Sequence, residues 1–235
     1  MTTNVRGGVS TRAAESMFNR ISVIGRGRVG AAISARLRDQ GWLAESGPAD
    51  LILLCVPDSA IGPVARETRE GPWIAHVSGA TPLAALDPHR RRFGMHPLQT
   101  FTRARGPEQI DGAWAAVTGE TDEARARGRW LAGTLGLTPF DLAEANRVLY
   151  HAGAVMASNY VVTLYRAAAR AFAEAGVPAA ALLPLLRRTI DNDFELTGPI
   201  SRGDWAVVDA HLAALAEQVP ELEPLYRALA KATAP

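Results

Sequence analysis

The sequence predicts an α/β protein: a mostly parallel sheet covered on both faces, followed by an all-α C-terminal half. Three observations predict this. From Arg20 to about Leu142, short apolar runs alternate with helical segments. The runs are continuously apolar rather than alternating, the pattern of strands buried on both faces. After Ala143 the strand-like runs stop and only helical patterning remains.

Taken in order, residues 1–19 are polar with scattered arginines. They lack the apolar core of a secretory signal and read as a mobile tail. Ile21–Ile24 is the first strand, and it breaks into glycines before a helix over Val29–Gln40. Only nine residues, Gly41 to Ala49, then separate Gln40 from Asp50. A parallel crossover needs at least ~10–12 residues. Trp42–Glu45 can form a stub of a strand, but no helix fits before Leu51, so the second strand and its helix are expected to be shortened or missing. Strands follow at Leu51–Val56, Trp73–Val77, Phe93–His96 and Trp114–Val117, with helices over Ile61–Arg69 and Glu123–Leu135.

In the second half, Ala143 to Gly176 reads as one long helix ended by Gly176 and Pro178. Further helices fit Pro178–Asn192, Asp204–Gln218 and Glu221–Lys231. Asp204 can cap the third, and Pro220 separates the last two. The expected domains are therefore 20–142 and 143–235.

Composition narrows the function classes. A hydrophobic content of 48% supports a proper core, and a net charge of +1 gives no field to attract nucleic acid or an anionic membrane. Among the 25 basic residues only Lys231 is a lysine, so none is available near the core for a Schiff base. Cys55 stands alone, which excludes an internal disulfide or a cysteine metal cluster and fits a reducing, cytoplasmic setting. No apolar stretch approaches the ~20 residues of a membrane span.

Gly25-Arg26-Gly27-Arg28-Val29-Gly30 matches G-x-G-x-x-G directly after a strand and opening a helix. The first glycine permits the tight turn, and the second lets a pyrophosphate approach the backbone. The third lets helix and strand pack closely, while the helix N-terminus faces the phosphates. Arg26 and Arg28 suit a 2′-phosphate, favouring NADP. Ordinary arginines in an arginine-rich chain would look the same, so NAD stays open. Glu45 lies 20 residues past Gly25, where a ribose-binding acid is expected. The short Gly41–Ala49 segment reduces the adenosine side of such a site, and weak cofactor binding, or none, is the alternative.

Ligands in such sheets lie beyond the carboxyl ends of the strands. Three ends carry suggestive residues. Val56-Pro57-Asp58-Ser59 can start a helix at Pro57, leaving free N–H groups and Ser59 toward a cofactor. Ser78-Gly79 and His96-Pro97 end two others. Ser78 also reads as a turn residue and His96 as a structural histidine; His76, inside its strand, reads as core.

Six segments carry a family resemblance: "VIGRGRVG", "ADLILLCVPDSAI", "HVSGA", "HPLQTF", "YHAGAVMASNYVVTL" and "LTGPISRGD". The chain resembles Rossmann-like proteins that carry a C-terminal domain of unknown function numbered 2520. These are similar to 6-phosphogluconate dehydrogenase, prephenate dehydrogenase, pyrroline-5-carboxylate reductase and ketopantoate reductase. The match covers most of Arg20 to Ala230 and departs from the family pattern at Gly41–Ala49. His96 resembles the histidine that contacts the substrate hydroxyl in prephenate dehydrogenases. Ketopantoate reductases carry a lysine on the inter-domain helix, with asparagines four and eight residues later. Setting Asn159 on the last asparagine puts Val155 on the middle one and His151 on the lysine. Residues four apart line one helix face, so all three would project into one cleft. Histidine suits acid work near neutrality. Helix–helix hydrogen bonds are the plainer role for His151 and Asn159.

Between two helices, Thr197, Gly198 and Ser201 could line the far wall of the cleft, and Arg202 could fork onto a substrate carboxylate. A plain helix linker capped by Asp204 is the alternative. Asp191, Asp193 and Glu195 lack the glycine of a calcium loop, so no metal site is expected.

The resulting expectation is an NADP(H)-dependent oxidoreductase of a small carbonyl or imine compound. His151 would donate the proton, Asn159 would orient the substrate, and His96 and Ser78 would hydrogen-bond the reacting oxygen. The resemblance makes ketopantoate the first substrate to try and implies a homodimer paired through the helical half. A deazaflavin beside NADP rests on fold analogy alone. The rival expectation is a homologue impaired in cofactor binding that acts as a non-redox binding or scaffold protein.

Overall fold

A computed structural model describes residues 16–234. Its sheet has six strands: β1 (Ile21–Ile24), β2 (Leu51–Leu54), β3 (Trp73–His76), β4 (Arg92–Leu98), β5 (Trp114–Thr118) and β6 (Thr138–Asp141). They lie in the order β1-β2-β3-β4-β5-β6. Every neighbouring pair is parallel except β4 and β5. In the same half, α1 (Arg28–Asp39) follows β1, α2 (Asp58–Glu67) follows β2, and α3 (Asp122–Leu135) follows β5.

The apolar runs bury both faces, as their composition requires. In β2, Leu51 and Leu53 join a core with Ile33 and Leu37 of α1 and Leu131 and Leu135 of α3. Leu54 turns to the other face and packs with Ile61 and Ala65 of α2. The edge strand β6 is absent from the sequence expectation because Pro139 interrupts the run. An edge position tolerates a proline, since one side of the strand needs no ladder bond.

The missing crossover is visible directly. Leu43 pairs with Ile21 in a single parallel bridge on the free edge of β1. The Ile21 N–H donates to the Trp42 carbonyl at 2.9 Å, and the Ala44 N–H donates to the Ile21 carbonyl at 2.8 Å. The stub ends there, and no helix separates it from β2. Asp50 secures the return, its Oδ2 accepting the N–H groups of Asn19 at 2.8 Å and Arg20 at 3.0 Å.

The expected tail, 1–19, lies outside the described residues as far as position 15. Its last residues are anchored: Phe18 is buried, with its ring 5.6 Å from Trp130 and 6.4 Å from Phe93 between centroids.

The chain forms two compact units, one reaching to Ala154 and one from Val155 onward. The division falls past the expected Leu142 because α4 (Arg147–Val155) begins by burying Arg147 in the first unit. The expected long helix continues from α4 through a π turn, Met156–Tyr160, into α5 (Val161–Glu174). Gly176, at φ 69°, follows its end. The second unit also contains α6 (Leu182–Asp191), α7 (Trp205–Gln218) and α8 (Glu223–Thr233). Among the described residues, no helix is long and apolar enough to cross a membrane.

Two glycines of α3 test how closely it packs on the sheet. A Cβ at Gly128 would lie 2.5 Å from Val117 Cγ1, whereas one at Gly133 would meet nothing within 4 Å. Gly128→Ala is expected to lower stability by about 1–3 kcal/mol. Gly133→Ala should raise it by about 0.5–1 kcal/mol. Urea unfolding measures both, and shifts of the same sign would contradict the packing described.

Candidate functional site

The glycine turn meets its three requirements with different geometry at each glycine. Gly25 sits at φ 110°, and a Cβ there would lie 2.3 Å from the Cys55 carbonyl oxygen. One at Gly30 would lie 2.1 Å from the Gly25 carbonyl oxygen. Both are bare because the strand ends and α1 press together. Gly27 is different: its φ is an ordinary −69° and nothing lies within 4 Å of a Cβ there. It is also the N-cap of α1, with no side-chain cap bond and no acidic residue in the first turn. Val29 packs partly into the core behind it.

Beside this turn lies a groove of about 260 Å³, lined by Arg26, Gly27, Arg28, Arg103, Arg105 and Gly106, among others. Of its arginines, Arg105 stands near a carboxylate, 3.9 Å from Glu108. Glu45 pairs with Arg38 at 2.7 Å on the surface.

At the end of β2, Pro57 is the N-cap of α2, which starts one turn earlier than expected. Val56 is half-buried, while Pro57 and Ser59 are exposed. The Asp58 carboxylate accepts the Ser78 hydroxyl proton at 2.9 Å. Ser78 Oγ also accepts the N–H groups of Thr81 at 2.9 Å and Ala80 at 3.2 Å, and contacts the Thr81 hydroxyl at 2.9 Å. These contacts favour the turn role, the other of the two readings of Ser78. Its only proton and its lone pairs are engaged, so it builds the turn and has nothing to offer a reacting oxygen.

Behind that turn lies Arg147, 1% exposed. Its Nη1 donates to Thr118 Oγ1 at 2.9 Å and its Nη2 to the Ser78 carbonyl. Glu144 stands 4.0 Å from Nε and receives the Leu83 N–H at 2.7 Å on its other oxygen. Gly94 makes room: a Cβ there would lie 2.8 Å from Arg147 Nη1. Burial pulls the guanidinium below its ordinary pKa, against the nearby Glu144 carboxylate.

One helical turn after Arg147, His151 reaches Gly79. A Cβ on Gly79 would lie 2.5 Å from His151 Cδ2 and 3.0 Å from His96 Cε1. The two imidazoles meet edge to face, 5.9 Å between centroids. Tyr150 closes the cluster, its hydroxyl 2.7 Å from His96 Nδ1. Burial first, then the nearby His151 and Arg147, bring the His96 pKa down to about 4, with Asp58 opposing. His76 is fully buried, and neither ring nitrogen has a hydrogen-bond partner among the described residues. Burial, then Arg147, brings it down to about 3.

The first unit thus gathers Ser78, His96 and His151 at adjoining strand ends. The other residues expected to act on the substrate fall in the second unit. Asn159 lies within the π turn, so equal four-residue steps on one α-helical face do not carry through to it. The loop before α7 is tied to itself: Ser201 Oγ donates to the Gly198 carbonyl at 2.8 Å, and Arg202 Nη1 donates to the Thr197 carbonyl. That bond occupies part of the fork expected to hold a carboxylate. The second unit also has an apolar cleft of about 640 Å³, with His211 bonded to Tyr226 at 2.7 Å on its wall.

The sequence gives no role to Arg147 or Tyr150, and it offers Asp58 and Gly79 only as parts of the strand ends that carry Ser59 and Ser78. One signal was present: Arg147 precedes His151 by four positions in the otherwise apolar "VLYHAGA" helix.

A family model described as domain of unknown function (DUF2520) matches residues 113–233. No curated protein matches the chain. Several solved structures do. A Bacteroides fragilis protein provisionally assigned as an NADP oxidoreductase, BF3122, has a TM-score of 0.76 at 23% identity, over 91% of this chain and 97% of that one. The protein TM1727 from Thermotoga maritima has a TM-score of 0.72 at 22% identity, over 90% and 95%. A reductive aminase from Aspergillus terreus, in complex with NADPH and ethyl levulinate, has a TM-score of 0.64 at 16% identity, over 91% and 92%. At these identities the likeness establishes the Rossmann-like fold.

The buried histidines make acid stability a test of the site. Free histidine takes up its proton near pH 6.5, whereas folded His76 and His96 wait until about pH 3 and 4. Between those limits the unfolded chain binds more protons. Stability therefore falls as the pH is lowered, by up to about 1.4 kcal/mol per pH unit for each histidine. His76→Leu removes one share. Its unfolding free energy should fall less steeply than wild type between pH 6.5 and 4. Equal slopes would contradict the neutral, buried His76.

Proposed function

The chain belongs to the DUF2520 family, and from that premise we propose that it is an NADP(H)-dependent oxidoreductase of a small carbonyl or imine compound. One observation carries the reading. Gly27 is the glycine of the turn that the fold itself does not need, since its backbone is ordinary and the space over it is open. A ligand phosphate lying against the backbone accounts for that bareness.

Charge supports NADP over NAD. Arg26, Arg28 and Arg103 supply cations beside Gly27, while Glu45, the acid suited to a free ribose, is taken by Arg38. The aminase of similar fold was solved with NADPH. When bound, the nicotinamide supplies the hydride. The remaining tasks fall to the chain. His96 Nε2 hydrogen-bonds the reacting oxygen or nitrogen, and His151 delivers the proton. Such proton transfer contributes ~10²–10⁴-fold in rate. Arg147 and Ser78 position these groups. Ketopantoate remains the first compound to try.

We also read the protein as a homodimer through its helical unit. Leu185, Ile190 and Phe194 stand more than half exposed there, beside an apolar cleft of about 640 Å³. Exposed apolar area on this scale is characteristic of interfaces.

The stub of Trp42–Glu45 favours a second reading, a binding or scaffold protein that has lost its nucleotide. Titration with NADPH and NADH separates the two. Saturable NADPH binding tighter than ~100 μM is expected, on the usual scale of enzyme KM values. Gly27→Ala should weaken it at least ~10-fold with an unfolding free energy within ~0.5 kcal/mol of wild type. Silence with both nucleotides would establish the second reading. Light scattering should give twice the chain mass of 25.0 kDa, and a single mass would overturn the dimer.

A further inference from the structure

We infer that Tyr150 is a positioning residue that holds His96 in one tautomer, with Nδ1 accepting the phenolic proton and Nε2–H presented at Gly79 and His151. The inference of a role in turnover rests on the oxidoreductase reading; the tautomer does not.

The contact between Tyr150 and His96 Nδ1 is 2.7 Å, a full hydrogen bond. Two proton arrangements satisfy it. In one, the phenol donates to Nδ1 and the proton of the neutral ring is on Nε2. In the other, Nδ1–H donates to the phenolic oxygen, and the phenol must place its own proton elsewhere. Tyr150 is half-buried, and His96 Nδ1 is its hydrogen-bond partner among the described residues. Each arrangement leaves one polar hydrogen over, Nε2–H at Gly79 in the first and the phenolic O–H in the second, so donor strength decides between them. A phenolic O–H is a stronger donor than its oxygen is an acceptor, because the oxygen lone pair is shared with the ring.

The surroundings keep the ring neutral. Arg147 and His151 on α4 stand against a second positive charge, and His76 on β3 lies in the same layer. Asp58 on α2 is the opposing group, and its Oδ2 is bonded to Ser78. Burial of the ring completes the effect.

Nε2 faces Gly79. A Cβ on Gly79 would lie 3.1 Å from it. At neutral pH a ligand there meets an N–H donor with no lone pair. This selects ligands that offer an acceptor: a carbonyl or carboxylate oxygen, or an imine nitrogen. It gives His96 the role of a neutral electrophile that polarises the acceptor while keeping its own proton. The proton consumed when a carbonyl or imine is reduced then has to come from another group, and His151 is the imidazole beside it.

Long-range ¹H–¹⁵N spectra of the full chain, labelled at its five histidines and free of cofactor, read the tautomer directly. The His96→Gln spectrum assigns the resonances. At pH 7 wild-type His96 should show a protonated-type Nε2 and a bare-type Nδ1. In Tyr150→Phe both nitrogens should move toward averaged values. The His96 titration midpoint should rise by about one pH unit, the equivalent of one lost hydrogen bond to the neutral ring. A bare Nε2 in wild type, or a spectrum unmoved by Tyr150→Phe, would overturn the inference. The wild-type spectrum decides the tautomer alone if the variant does not fold. Failure of NADPH to bind would leave this result standing, and a reversed tautomer would leave the nucleotide reading standing.

Discussion

A guanidinium sealed from water needs oxygen acceptors in fixed positions, and the two terminal nitrogens of Arg147 find them on separate parts of the first unit, while its Nε has no hydrogen-bond partner among the described residues. Arg147 bonds Thr118 at the end of β5 and the Ser78 carbonyl at the end of β3, and it stands beside Glu144, which is bonded in turn to Leu83. Losing one such partner would leave a buried polar group unsatisfied, at about 1–3 kcal/mol each. The start of α4 is therefore held by directional bonds as well as apolar contact. Everything one turn further along inherits that placement. His151 stands at Gly79 because Arg147, four residues earlier, stands on Gly94.

Bare backbone is the second half of the same constraint. Gly94 admits the Arg147 head, and Gly79 admits two imidazole rings. Gly25 and Gly30 admit the close approach of β1, α1 and the end of β2. In each case another part of the chain fills the space a methyl group would occupy. Gly27 is bare without such a neighbour, which separates a glycine that serves packing from one that leaves room for something outside the chain. The open helix N-terminus and the arginine-lined groove lie at that same glycine, so the steric and electrostatic observations concern one place.

Much of this was legible in the sequence because it rests on local periodicity. Five strands, the three helices between them and the shortened second strand follow from apolar runs and from the distance between Gln40 and Asp50. What escaped depends on partners distant in the chain. Pro139 hides β6, since only its edge position makes a proline acceptable. Ser78 reads as a free hydroxyl until Asp58 and Thr81 are folded against it. Arg147 looks like one more surface arginine in a chain that has replaced nearly all its lysines, and its burial follows only from the sheet beneath it. Tyr150 is adjacent to His151 in sequence, but its bond is to His96, 54 positions earlier. Asn159 illustrates a different limit. The four-residue spacing that selects it assumes an uninterrupted α-helix, and the π turn breaks that assumption.

The shortened crossover changes how a dinucleotide would have to be held. In a full mononucleotide half, the second strand ends in an acid that grips the adenosine ribose, and its helix continues the wall. Here the stub makes one bridge to β1, and Glu45 faces Arg38 instead. An exposed ion pair of this kind is worth little to the fold, about 0–1 kcal/mol, so it explains what occupies Glu45 without anchoring the segment. Under the proposed reading, recognition then falls on the phosphates, through the α1 N-terminus and the arginines of the adjoining groove. Both are electrostatic and exposed, and salt screens such contacts over about 10 Å at 0.1 M. On that reading the chemistry would stay at the β3 and β4 ends while shape recognition of the adenosine is given up. The turn is packed through Gly25 and Gly30 and the histidine pair through Gly79, and none of these contacts involves the stub.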